Sequence, residues 1–372
     1  MIGWEDVYKV VVAVVPLYVA LVLGYGSVRW WKIFTREQCD AINKLVCYFT
    51  LPLFTFEFTA NIDPFKMNFL FIGADTLSKL IIVAVLALWA KCSRKGSYCW
   101  SITSFSLCTL TNSLVVGIPM VKPMYGPMGV DLVVQASVVQ AIVWLTLLLI
   151  VLEFRRTGIE GANSTNLKPK ASSISNVVIG DEVVERKDVE ANTIVEDTSS
   201  RLPFFQLMKR VWLRFIVNPN SYGCVVGISW AFISNRWNLK MPSMVEGSVL
   251  IMSRAGTGTA MFSMDVLMDA GIFMALQEKV ISCGPSLTVI GLVLKFIAGP
   301  AAMAISAIIV GLRGDVLRVA IIQAAVPQSI TSFIFAKEYG LHAEVLSTAV
   351  IFGMIVSLPI LIAYYVILEF IH

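Results

Sequence analysis

The sequence predicts an all-α membrane protein of ten transmembrane helices, arranged as a 5+5 inverted repeat with broken crossover helices in spans 4 and 9. Three observations predict it: an apolar composition, ten apolar runs split five and five by a polar stretch, and one spacing that recurs in both halves. Hydrophobic residues make up 57% of the 372 and charged residues 15%, with a mean hydropathy of +0.77. No soluble domain needs that much apolar surface to close its core. Roughly 20 apolar residues cross a bilayer as a helix, and Val10–Val28, Asp131–Leu152, Ser286–Leu312 and Glu344–Ile371 reach that length.

Taken in order, the apolar runs fall near residues 10–28, 40–60, 69–90, 100–121 and 131–152, then 215–234, 244–264, 286–312, 316–337 and 344–371. The first run starts close to Met1 without a basic leader or a small-residue cleavage site, so it reads as a retained first span. Between the halves, a stretch rich in Ser, Thr, Asn, Glu, Asp and Lys has too little apolar surface to order itself. The expected organisation is therefore a five-helix repeat over 1–154, a flexible cytosolic linker over 155–205 and a second five-helix repeat over 206–372. Basic residues set the orientation. Arg29, Lys32 and Arg36, then Lys91, Arg94 and Lys95, then the linker all fall on one side, which puts the linker in the cytosol and the N-terminus in a lumen or outside.

An odd number of spans per half inserts the halves with opposite orientation, as in inverted-repeat transporters. Lys79 in span three precedes Asn112 in span four by 33 residues (112 − 79 = 33), and Lys295 in span eight precedes Gln328 in span nine by the same distance (328 − 295 = 33).

Spans four and nine hold the candidate chemistry. Ser101, Thr103, Ser104, Ser106, Thr109, Thr111, Asn112 and Ser113 leave span four no lipid-compatible face, so it must be buried in protein. In span nine, Pro327 removes a backbone hydrogen bond in mid-membrane and breaks or kinks the helix, which is tolerated where the break lines a cavity. A half-helix N-terminus there suits a carboxylate, and Asn112 and Gln328 would add amide donors. The alternative is that these polar groups only join neighbouring helices. Asp75 and Lys79 stand at i and i+4 on span three. They form either a structural brace or a pair that changes protonation or partner as the site opens. Lys295 answers the substrate's negative charge or seeks backbone carbonyls, with support favoured over contact.

Other features exclude functions. A net charge of +4 carried in loops gives no nucleic-acid signal. Seven cysteines without a C-x-x-C pair, with only His342 and His372 beside them, give no metal cluster and imply no cofactor. There is no phosphate loop and no nucleophile elbow, so neither ATP hydrolysis nor enzyme chemistry is expected. Gly223-x-x-x-Gly227 reads as a close helix-packing face. Transport must draw on a gradient or potential, worth ~2.3 kcal/mol per charge per 100 mV.

Val15-Pro-Leu-Tyr-Val19, Gln38-Cys-Asp-Ala-Ile-Asn43, Thr111-Asn-Ser-Leu-Val-Val-Gly-Ile-Pro119, Phe333-Ile-Phe-Ala-Lys-Glu-Tyr339 and Val350-Ile-Phe-Gly-Met354 resemble the plant PIN-FORMED auxin carriers. The short linker resembles the short-loop members, associated with the endoplasmic reticulum. The resemblance implies a homodimer that moves indole-3-acetate by an elevator-like motion without a coupling ion, in the endoplasmic reticulum membrane or alternatively the plasma membrane. It implies that Asn112 binds the carboxylate, that Thr55, Val115, Gln140 and Ile330 line the pocket, and that Asp75 and Lys79 form a charged support site. The chain departs from the family where Thr111 and Ser332 replace crossover prolines, while Pro119 and Pro327 remain; Asp265–Ala270 looks like an insertion. A sodium-coupled carrier of another carboxylate is the alternative within transport, and a receptor or channel is the alternative outside it.

Overall fold

The computed structural model describes residues 4–93, 96–166, 208–213, 219–267 and 284–370. Among them, helices account for nearly all regular structure, and the one β feature is an isolated antiparallel bridge between Thr111 and Gln328. In chain order the helices are α1 (Trp4–Arg29), α2 (Arg36–Leu45), α3 (Leu51–Ala60), α4 (Phe69–Cys92), α5 (Tyr98–Thr109), α6 (Ile118–Val139) and α7 (Leu145–Asn166). After the central segment come α8 (Pro219–Trp237), α9 (Ser243–Leu267), α10 (Pro285–Val293), α11 (Gly299–Val310), α12 (Gly314–Ala325), α13 (Ile330–Glu338) and α14 (Ala343–Phe370). Single π turns at Val46–Thr50, Ser113–Gly117, Gln140–Trp144 and Leu294–Ala298 join several of these into longer rods.

Five described helical runs are long and apolar enough to cross a membrane: Tyr8–Val28, Phe69–Cys92, Ser113–Arg156, Pro285–Val310 and Ala343–Phe370. The third has 44 residues, about 66 Å at 1.5 Å per residue, twice what a bilayer core needs. Gly126, flanked by Pro123 and Pro127, divides it, with φ 63° and ψ −150° in a region that only glycine enters without strain. The stretch expected as span four is interrupted after Thr109, and that expected as span nine after Ala325. α7 continues as helix through Asn166, past the expected linker start at Arg155, because nothing in its first residues ends the hydrogen-bond ladder. The rest of the linker lies outside the described residues, as do 268–270 of the suspected insertion.

Packing sorts the helices into two bundles. α1 and α2 lie against α9, and α3 lies against α8 and α9. In the other bundle α4 packs on α5 and α11, α11 on α12, α12 on α6 and α14, and both α10 and α13 on α14. Small residues set the close approaches within the bundles. A Cβ at Gly223 would collide with the Pro52 carbonyl, and one at Gly227 with the Thr59 side chain, so this face of α8 seats directly on α3. Gly299 meets the Cys108 carbonyl in the same way and lets α11 close against α5. α1 meets α6 and α14 at the boundary between the bundles.

Candidate functional site

Two interrupted helices cross inside the second bundle. α5 ends as Leu110 turns extended (φ −89°, ψ 122°), and helix resumes after Asn112 (φ −87°, ψ 63°). α12 ends at Ala325, Val326 and Ser329 are extended, and α13 begins at Ile330. Pro327 accounts for the second break, because its ring disfavours helical geometry in the residue before it. The two extended segments satisfy each other. Asn112 N–H donates to the Pro327 carbonyl at 2.8 Å, and Ser329 N–H to the Leu110 carbonyl at 3.2 Å.

Side chains from other helices satisfy what remains of the freed backbone. The Gln140 carboxamide clasps Thr111 on both sides: Thr111 N–H donates to Oε1 at 3.0 Å, and Nε2 donates to the Thr111 carbonyl at 2.7 Å. Lys295, fully buried in its π turn, donates through Nζ to the Leu110 carbonyl at 3.3 Å, placing a cation at the carbonyl end of α5 as the helix dipole favours. Gln328 donates through Nε2 to the Ser106 carbonyl at 2.9 Å and to Ser332 Oγ at 2.6 Å, while its Oε1 meets no hydrogen-bond partner among the described residues.

Gln323 on α12 was not singled out from the sequence. It donates through Nε2 to Ser113 Oγ and to Thr111 Oγ1, and those two hydroxyls lie 2.7 Å apart. Its signal was present, as a glutamine within the otherwise apolar stretch Val319–Ala325.

The crossing therefore gathers two helix N-termini, at Ser113 and Ile330, opposite two helix C-termini. First-turn N–H groups lack intrahelical acceptors, so this point favours an anion. A small, partly open pocket adjoins it, lined by Asp75, Lys79, Cys108, Thr111, Gln140 and Gln323 among others. Lys79 donates to Asp75 at 2.6 Å, both largely buried, and its Nζ lies 5.2 Å from the centre of the Trp144 ring, a cation–π distance.

The remaining expected residues are dispersed. Val115 is buried in the π turn after Asn112, and Ile330 opens α13 half-buried. Thr55 is buried in α3, in the other bundle. Pro327 lies in the break itself, whereas Pro119 lies seven residues beyond Asn112 (119 − 112 = 7), inside α6.

At one end of the second bundle, a polar cluster ties the helices together. Tyr339 donates its hydroxyl to buried Glu153 at 2.9 Å, Arg155 donates to the Tyr339 carbonyl at 2.9 Å, and Arg210 reaches Glu153 at 3.3 Å. His342 stacks on Trp100 with centroids 3.9 Å apart and places Nδ1 3.0 Å from Thr103 Oγ1. Burial, and then the Arg155 charge, hold the His342 imidazole below its ordinary 6.5.

Comparison with known proteins adds relatives that run the length of the chain. The family described as membrane transport protein matches residues 9–365. The chain is similar to auxin efflux carrier component 5 of Arabidopsis thaliana, 68% identical over 372 residues with both chains fully covered. It is 59% identical to probable auxin efflux carrier component 5a of Oryza sativa subsp. japonica, again over the whole of both. It is 38% identical to auxin efflux carrier component 8 of Arabidopsis thaliana, over 99% of this chain and all of the relative.

Two predictions follow from the geometry. Gln140→Leu keeps volume but strands the Thr111 N–H and carbonyl, each costing ~1–3 kcal/mol when buried unpaired; thermal unfolding in detergent should show a clear loss, with Gln140→Glu intermediate because one acceptor remains. Because the lowered His342 pKa favours the neutral ring, its contribution is complete above pH 6.5 and disappears as pH falls through the lowered value. Between pH 6.5 and the lowered value, the melting temperature should therefore decline more steeply in the native chain than in His342→Asn.

Proposed function

Because the chain belongs to the membrane transport protein family, we propose that it is a secondary carrier of the indole-3-acetate anion. It works without enzyme chemistry, moving a carboxylate across the endoplasmic reticulum membrane. The observation that carries this reading is the paired break at Thr111 and Gln328, which sets two helix N-termini at one point away from water. A carboxylate there receives first-turn N–H groups and the partial positive charge of two helix dipoles, and the Asn112 side chain stands at the head of one of them. The full-length relatives are named auxin efflux carriers, which supports an auxin as the acid.

In this reading the ten apolar runs are ten spans, five in each of two inverted repeats, with the linker cytosolic and the N-terminus lumenal. Gln140, Gln328 and Lys295 brace the crossing, since their donors already serve backbone carbonyls and a serine hydroxyl. Asp75 and Lys79 form a charged support on the cavity wall, and Thr55, Val115 and Ile330 meet the indole ring when the bundles close around it. The bundle of α1, α2, α3, α8 and α9 stays fixed, as the scaffold of a homodimer. The other bundle slides past it, carrying the crossing from one side of the membrane to the other. The membrane potential supplies ~2.3 kcal/mol per charge per 100 mV, enough to bias the flux of a monoanion.

The test is transport of labelled indole-3-acetate into liposomes holding only this chain. Asn112→Ala should abolish flux while leaving folding and membrane insertion intact, and replacing sodium with potassium should change nothing. Undiminished flux in Asn112→Ala would remove that residue from the site. Strict sodium dependence would point to a coupled carboxylate carrier, and no flux in the native chain would leave a receptor.

A further inference from the structure

The boundary between α1 and the second bundle carries a directional contact beside an apolar patch. Tyr18 of α1 donates its hydroxyl to the Met354 carbonyl of α14 at 2.6 Å and stands 3.2 Å from Ser357 Oγ. Ser357 is fully buried and donates to the same carbonyl at 2.8 Å. A phenol hydroxyl in an apolar layer needs a partner, and the Met354 carbonyl and the Ser357 hydroxyl together offer it acceptors. Beside this contact lies a small apolar pocket among Val14, Leu17 and Leu21 of α1, Val116 and Met120 beyond the crossing, and Met354. These apolar contacts are non-directional, whereas the Tyr18 hydroxyl bond to α14 is met only within a narrow range of distance and angle.

We infer that Tyr18 is a positioning residue for transport, a latch whose hydrogen bond to α14 holds the two bundles in the arrangement described and must open for each passage. The inference rests on the carrier reading above. Val116 lies four residues beyond Asn112 (116 − 112 = 4) on the helix whose N-terminus meets the crossing. The latch thus grips the moving bundle beside the site without touching the carboxylate, and substrate affinity and turnover should respond to it separately.

Tyr18→Phe keeps the ring and removes the hydroxyl. In liposomes holding the purified chain, the variant should bind indole-3-acetate with a dissociation constant within about twofold of the native value, while maximal flux rises roughly fivefold, the factor carried by one net hydrogen bond. Hydrogen exchange of the backbone around Met354 should quicken. Ser357→Ala, which leaves the Tyr18 to Met354 bond in place, should change flux less than Tyr18→Phe. Native flux unchanged in Tyr18→Phe would overturn the latch, as would affinity, flux and melting temperature falling together, the mark of a merely structural tyrosine. If the native chain shows no flux, the carrier reading fails by itself. Exchange then decides the latch alone: faster exchange in Tyr18→Phe upholds it, and unchanged exchange overturns it.

Discussion

A backbone group that leaves a helix inside lipid must find a protein partner, because no water is there to take its place. The whole centre of this molecule answers that requirement. Breaking α5 at Leu110 and α12 at Val326 frees a set of N–H and carbonyl groups, and the two breaks are laid antiparallel so that Asn112 meets Pro327 and Ser329 meets Leu110. Gln140 meets the Thr111 N–H and carbonyl that this pairing does not reach, and Lys295 and Gln328 add second donors to the Leu110 and Ser106 carbonyls. Long polar side chains buried in a membrane protein are costly without such partners. Here their amide and ammonium donors find them, and several side chains from distant parts of the chain converge on the crossing.

The paired breaks also shape the electrostatics. Helix dipoles fall off within a turn, so two N-termini act on one anion only if both are held at the same point. The bridge between Thr111 and Gln328 does that. It also divides the labour. Lys295 sits at the carbonyl side of the crossing, and Lys79 is occupied by Asp75 and by the Trp144 face. Both lysines thus have protein partners at the crossing and on the cavity wall.

Much of this was legible in the sequence, for reasons tied to particular residues. Pro327 forces a break wherever it falls in a span, and the row of serines and threonines before Asn112 rules out a lipid-facing span. The pairing of Asp75 with Lys79 followed from their spacing on a helix. What was not legible depends on folding back in space. Gln140 lies far along the chain from Thr111, and no local pattern says that its amide will serve as a strand partner for that residue. Gln323 passed as one glutamine in an apolar helix until the fold set it against Ser113. The π turns that carry Val46, Ser113, Gln140 and Lys295 leave no periodic mark, since one extra residue in a turn is a tertiary adjustment. Thr55 sits in the opposite bundle, so any meeting with the crossing depends on how the bundles approach, which sequence alone does not state.

The account stands on an anionic head group held between two helix ends. Its most direct test is calorimetric binding of indole-3-acetate to the purified chain, beside indole-3-ethanol, which keeps the ring and lacks the charge. The account predicts saturable binding of the acid and at least about tenfold weaker binding of the alcohol, a difference of ~1.4 kcal/mol. Equal affinities would contradict it, since the crossing would then contribute nothing that recognises a carboxylate.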